Sequence, residues 1–174
     1  MILSMRMRNI ALIEELSLEF GEGLHVMTGE TGAGKSIVVD AVNLVLGGRA
    51  ARELIRTGTD KAWVEAVFDA SGNVEVAKWA QAQALDDFDG TVTLYREITR
   101  SGRNLCRVCG VVMPLSALKD IAVLLMDVHG QHEAQFLMNS QYHLLFLDAA
   151  GGDDYQALLS RVDAAYQAFI TNHR

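Results

Sequence analysis

Residues 29–36, Gly-Glu-Thr-Gly-Ala-Gly-Lys-Ser, constrain this chain more than any other stretch. They match the pattern G-x-x-x-x-G-K-[ST] without deviation. Glycines at 29, 32 and 34 let backbone N–H groups turn toward phosphate oxygens with no Cβ in the way. Lys35 supplies a point charge for the β- and γ-phosphates, and the Ser36 hydroxyl suits a magnesium ion. Glu30, Thr31 and Ala33 complete the loop, and Ile37 follows in the first helical turn. Such a loop needs a strand before it and a helix after it. Residues 24–28, Leu-His-Val-Met-Thr, have the composition of a short buried strand. In residues 35–46, Ile37, Val38, Ala41, Val42, Leu44 and Val45 line a broad helical face, and Gly47-Gly48 stops it. The motif predicts ATP and Mg²⁺ held at the N-terminus of that helix.

The remaining pattern surrounds this unit with short strands and helices. Residues 1–7 and 16–20 have strand composition, as do residues 62–69, while residues 74–85 read as an amphipathic helix. Residues 91–99 and 105–108 form a predicted hairpin through Ser101-Gly102, which implies an antiparallel β subdomain beside the opening unit. Pro114 suits the first turn of a helix over residues 115–125, and residues 141–147 predict another. A polar, histidine-rich segment, residues 127–135, separates the two. After Gly151-Gly152, Tyr155, Leu158, Val162, Ala165 and Phe169 recur at spacings of three and four, with Leu159 and Tyr166 widening the seam. This helix fits either the packed end of a domain or the start of a coiled coil.

Composition narrows the class. The 174 residues are 50% hydrophobic and 21% charged, enough for one α/β domain and incompatible with disorder. A net charge of -7 argues against a generic polyanion binder, so any DNA contact must come from a local patch or another chain. Two cysteines make no disulfide framework and point to a reducing compartment. With no targeting segment and no apolar run approaching about 18 residues, the chain reads as cytoplasmic, with no membrane partner.

A phosphate loop alone does not hydrolyse ATP. A carboxylate after an apolar strand must organise Mg²⁺ and water. Val123-Leu124-Leu125-Met126-Asp127 imitates that arrangement, and a self-sufficient NTPase or nucleotide kinase would use Asp127. The following Val-His-Gly-Gln brings no glutamate to polarise water. A nucleotide-binding module that never hydrolyses is a further alternative.

Several segments resemble the N-terminal part of the RecN family, bacterial SMC-like ATPases associated with double-strand-break repair. They are residues 5–14, Met-Arg-Met-Arg-Asn-Ile-Ala-Leu-Ile-Glu; the phosphate loop continued to Ala41; residues 46–50, Leu-Gly-Gly-Arg-Ala; residues 55–58, Ile-Arg-Thr-Gly; and residues 101–104, Ser-Gly-Arg-Asn. The most diagnostic is residues 128–133, Val-His-Gly-Gln-His-Glu. The resemblance implies an α/β P-loop head of the ABC/SMC type. Residues 1–150 would be its N-terminal lobe, and residues 151–174 the root of a coiled-coil helix. It further implies that Gln131 is the Q-loop residue reaching Mg²⁺ or the attacking water, with Gln135 second, and that Asp127 is not the Walker B acid. The signature motif, the Walker B pair and the switch histidine belong to the family's C-terminal lobe; no Ser-Gly-Gly-Glu and no apolar run ending in Asp-Glu occurs in this chain. The implied partners are that lobe, a second head across an ATP sandwich or a coiled coil, and DNA. The implied location is the nucleoid within the cytoplasm, and this segment alone would turn over little ATP.

Weaker constellations remain. Cys106 and Cys109 with His129 and His132 carry metal-like spacings, but residues three apart on a strand face opposite ways, so buried thiols are the simpler reading. Arg96, Arg100, Arg103 and Arg107 make a basic stretch that fits a solvated hairpin or, alternatively, the DNA backbone. Arg49, Arg52 and Arg56 read by default as surface arginines; the resemblance implies that one of them, Arg52 as first choice, approaches the phosphates. Trp63 and Trp79 read as packing residues. Cys109-Gly110 stands where the family pattern predicts Asn-Gly, and cysteine takes the left-handed conformation less readily.

Overall fold

The computed structural model describes residues 1–29, 34–85, 88–126, 144, 147–148 and 151–172. The chain divides into two compact units, Met1–Val128 and His129–Arg174. The first is built on a six-stranded sheet: β1 Ile2–Ile10, β2 Ile13–Glu19, β3 Lys61–Asp69, β4 Thr91–Thr99, β5 Asn104–Val108 and β6 Val111–Met113. Their order is β2-β1-β3-β4-β5-β6, with every pair antiparallel.

Period-two alternation sorts the two faces. Met5, Ala66, Leu94 and Val108 lie opposite one another across four strands, and the next row is Met7, Val64, Arg96 and Cys106. All eight are buried. On this face lie the helices α1 Lys35–Val45, α2 Val74–Ala82 and α3 Leu115–Leu125. Val38, Ala41, Leu44 and Val45 of α1 and Ala117, Leu118, Ile121 and Ala122 of α3 join the strand residues in one core. The α2 start is fixed by Asn73, whose Oδ1 accepts from the N–H groups of Glu75 and Val76 while its Nδ2 donates to the Leu124 carbonyl at 3.0 Å. That side chain ties α2 to the end of α3.

The opposite face is a row of cross-strand polar pairs, Arg6 beside Glu65, Tyr95 and Arg107. Trp63 stacks on Tyr95 at 5.8 Å, and the Arg107 guanidinium lies 5.6 Å from the Tyr95 ring. The Tyr95 hydroxyl donates to Glu97 at 3.0 Å. Burial and that carboxylate push the Tyr95 phenol up to about 12.

Two expectations change. The hairpin forms, but β1 and β2 belong to the same sheet, so the antiparallel layer is the frame of the whole unit. The expected strand over residues 24–28 does not form: that run is neither strand nor helix. Leu24 is 90% exposed, Val26 71% and Met27 52%. Apolar composition favours a strand only when a neighbour completes its ladder, and among the described residues none pairs with this run.

Cys109 and Gly110 form the β5–β6 turn with φ of +48° and +79°, so cysteine does adopt the left-handed conformation there. In the second unit the described residues include the helix α4, Gly152–Asn172. Near its start the Tyr155 hydroxyl donates to Asp148 at 3.0 Å. Its seam faces solvent: Tyr155, Leu158, Val162, Tyr166 and Phe169 are all exposed. Within the described residues, no helix is long and apolar enough to cross a membrane.

Candidate functional site

The site is built from the start of α1. Gly34 caps that helix in the left-handed conformation at φ +98°, a position that suits glycine. Among the described residues no side chain caps the first turn, and no acidic residue stands in it. The helix start therefore carries N–H groups and the positive end of its dipole, with no acidic residue of its own first turn to offset it. Lys35 and Ser36 open the helix; the Lys35 ammonium donates to the Gly29 carbonyl, joining the two ends of the loop, while the Ser36 side chain is exposed. Ile37 is half-buried, and Val38 is anchored in the core, where its N–H reaches the Gly34 carbonyl at 3.2 Å.

A cavity of about 680 Å³ opens beside Gly34 and Lys35. Ile13, Leu16, Val26, Met27 and Val38 give it apolar walls, and Glu14, Glu15 and Thr28 add polar groups. A cavity of this size, with few polar groups beside an anion-seeking helix end, can take a base and sugar next to a phosphate chain. A helix start that offers a lysine and a hydroxyl fits a magnesium nucleotide.

Of the other predicted residues, Glu30, Thr31, Gly32 and Ala33 lie outside the described residues. So do Asp127, His129, Gln131, His132 and Gln135. The three arginines after α1 separate. Arg56 donates to the Leu12 carbonyl at 2.6 Å and stands 3.8 Å from Glu14, a wall residue of the cavity. Arg52, the first choice from sequence, instead lies over Gly102 of the β4–β5 hairpin, where an added Cβ would meet its guanidinium at 3.3 Å. Arg49 is exposed.

The basic stretch also divides. Arg100 donates to the carbonyls of Thr59 (2.6 Å) and Arg56 (3.1 Å), Arg103 is exposed, and Arg107 covers Tyr95. Arg96 is 1% exposed. It cannot meet DNA. Its Nη1 donates to the carbonyls of Leu44 and Gly48, each at 2.7 Å, and its Nε donates to Asn104 Oδ1 at 3.0 Å. Burial lowers its pKa, yet a guanidinium keeps its proton. The signal for this placement was in the strand: Val92, Leu94, Arg96 and Ile98 share one side of an alternating run.

Cys106 is buried, and burial raises its thiol pKa. The Cys109 thiol faces the Thr91 carbonyl at 3.7 Å. Among the described residues, no group of three or more His, Cys, Asp or Glu side chains is placed to share a metal ion. Trp79 packs against the core, while Trp63 lies on the opposite sheet face.

Comparison with known proteins gives this geometry a context. A family described as "AAA domain" matches residues 4–104. The DNA repair protein RecN of Bacillus subtilis is 39% identical over 170 residues, covering 98% of this chain and 30% of the relative. RecN of Vibrio cholerae is 40% identical over 167 residues, covering 96% of this chain and 30% of the relative. The chain thus spans under a third of the length of these relatives. Among solved structures, the Smc head domain with an extended coiled coil from Pyrococcus furiosus superposes with a TM-score of 0.66 at 20% identity, over 98% of this chain and 47% of that one. A structure from work on the ATP-driven dimerization and DNA-stimulated activation of SMC ATPases gives a TM-score of 0.60 at 21% identity, over 84% of this chain and 97% of that one. These likenesses establish an α/β fold of the SMC head type.

Proposed function

The chain belongs to the AAA domain family and matches the N-terminal head segment of RecN proteins, and from that premise we propose that it is the ATP-binding lobe of an SMC-like ATPase acting in DNA double-strand-break repair. In this reading residues 1–150 are the lobe and residues 151–174 the root of a coiled coil. The phosphate loop from Gly29 through Glu30, Thr31, Gly32, Ala33 and Gly34, with Lys35, Ser36 and Ile37, holds ATP. Lys35 offsets phosphate charge, Ser36 ligates Mg²⁺, and Gln131 reaches the metal or the attacking water. Bound Mg²⁺ would neutralise charge developing on the β- and γ-phosphate oxygens. Arg56, beside the cavity wall, is the arginine best placed to approach the nucleotide.

The observation that carries the reading is the exposed apolar run, Leu24, Val26 and Met27, leading into the phosphate loop. A strand-forming sequence without a ladder next to a nucleotide loop is a seat for strands from elsewhere. A C-terminal lobe of the same head would supply them, together with the signature motif and the Walker B pair. Hydrolysis then takes place between two such heads, and α4 finds a helical partner for its seam. Arg100 and Arg103 form the local basic patch that DNA phosphates would meet in an otherwise acidic chain. The setting is the cytoplasm, at the nucleoid.

The test is ATP binding and turnover by the 174-residue chain alone and with the downstream segment of its reading frame. The chain alone should bind Mg·ATP by calorimetry, lose that binding in Lys35→Ala, and hydrolyse only when the second segment is added. Turnover by the chain alone that disappears in Asp127→Asn would instead establish the self-sufficient NTPase. Binding without turnover in either mixture would leave a nucleotide-binding module.

A further inference from the structure

We infer that Arg96 is a positioning residue for the phosphate-binding helix, an inference that rests on the nucleotide-binding reading above. A buried cation is costly unless its charge and its N–H groups are met. No salt bridge to Arg96 is present among the described residues. Its charge-balancing neighbours are instead the carbonyls of Leu44 and Gly48, at the C-terminal end of α1, and the amide oxygen of Asn104. The carbonyl end of a helix carries the negative end of its dipole; the Leu44 carbonyl also accepts from the Gly47 N–H at 3.1 Å, and Gly48 lies in the turn that follows the helix. Arg96 satisfies two carbonyls at this end from one nitrogen, at 2.7 Å each, and does so from inside the sheet.

The consequence is positional. A helix of 11 residues is a rod about 16 Å long, with Lys35 and Ser36 at one end and the Arg96 contacts at the other. Among the described residues no side chain caps the near end. The far end is held by β4 through Arg96 and by the Gly47-Gly48 turn, where a Cβ on Gly47 would fall 2.5 Å from Lys119 of α3. A shift of the far end moves the whole rod along its axis and carries Lys35 and the first-turn N–H groups with it. Arg96 thus sets where the phosphate-binding end sits relative to the sheet. Asn104, paired with Ile98 across the β4–β5 ladder, accepts the third bond but makes none to α1, so the bonds to Leu44 and Gly48 define the position of α1.

Two variants separate positioning from general packing. Arg96→Lys keeps the charge but lacks the geometry to reach both carbonyls and Asn104 together. Asn104→Ala removes the hairpin bond and leaves the helix bonds in place. In the folded 174-residue chain, Arg96→Lys should weaken Mg·ATP binding about tenfold, while Asn104→Ala stays within about twofold of wild type. In nucleotide-free protein, amide exchange at Val38 and Val39 should quicken in Arg96→Lys, with β1 and β3 unchanged. Wild-type affinity and wild-type α1 exchange in a folded Arg96→Lys chain would overturn the inference. Equal losses of affinity and of melting temperature in both variants would also overturn it, since that pattern is general destabilisation. If the wild-type chain itself binds no Mg·ATP, the nucleotide reading fails and the inference with it, a result distinct from failure in the variant alone.

Discussion

Val64 and Val26 are the same residue in two settings. Val64 sits in β3 between paired strands and is fully buried, whereas Val26 lies in an apolar run of similar strand propensity and is 71% exposed. Neighbours cause the difference. Short turns join β1 to β2, β4 to β5 and β5 to β6, and the fold brings β3 between β1 and β4, so each of these strands finds its partners among the described residues. No described strand pairs with the run before the phosphate loop, and in the proposed function its partners come from the C-terminal lobe. A strand is a property of a ladder, and burial in this molecule follows the ladder.

Substitutions can break or sharpen that contrast. The largest effect is expected on the completed side: Phe68→Ala, in β3 and 1% exposed, should cost about 3–5 kcal/mol in urea unfolding. Gly47→Ala comes next, because φ is +96° and Lys119 must give way; a loss of roughly 1–2 kcal/mol should appear in the same assay. Asn73→Ala removes the α2 cap and its bond to α3, with a melting-curve loss of about 1 kcal/mol. Val26→Asp should change the stability of this chain by less than about 0.5 kcal/mol, yet abolish ATP turnover restored by adding the downstream segment. A stability loss for Val26→Asp as large as that for Phe68→Ala would end the comparison, since the run would then be part of this chain's own core.

These contrasts explain what could be read from sequence. The hairpin of residues 91–108 was legible because alternation and Ser101-Gly102 are local signals. The phosphate loop was legible because its chemistry depends on glycines at fixed spacing, and Gly34 takes the conformation that spacing requires. The strand over residues 24–28 was misread because composition reports propensity and says nothing of pairing. Arg96 was misread because a charged residue in a basic stretch looks like surface, although its phase in β4 placed it inside. Arg52 and Arg56 could not be told apart, since their neighbours, Gly102 and Glu14, are about 50 and 40 residues away in sequence and met only through the fold.

The left-handed turn at Cys109 has a consequence for how the sheet resists other chains. Cysteine at φ +48° stores local strain that asparagine or glycine would relieve. The strand beyond it, β6, has three residues, and Val111 and Val112 are exposed. Opening should therefore begin at this margin, ahead of the long pairs of β1, β3 and β4. A margin so short and so readily frayed is a poor template for another molecule's strand, which protects a sheet that otherwise ends in unpaired backbone.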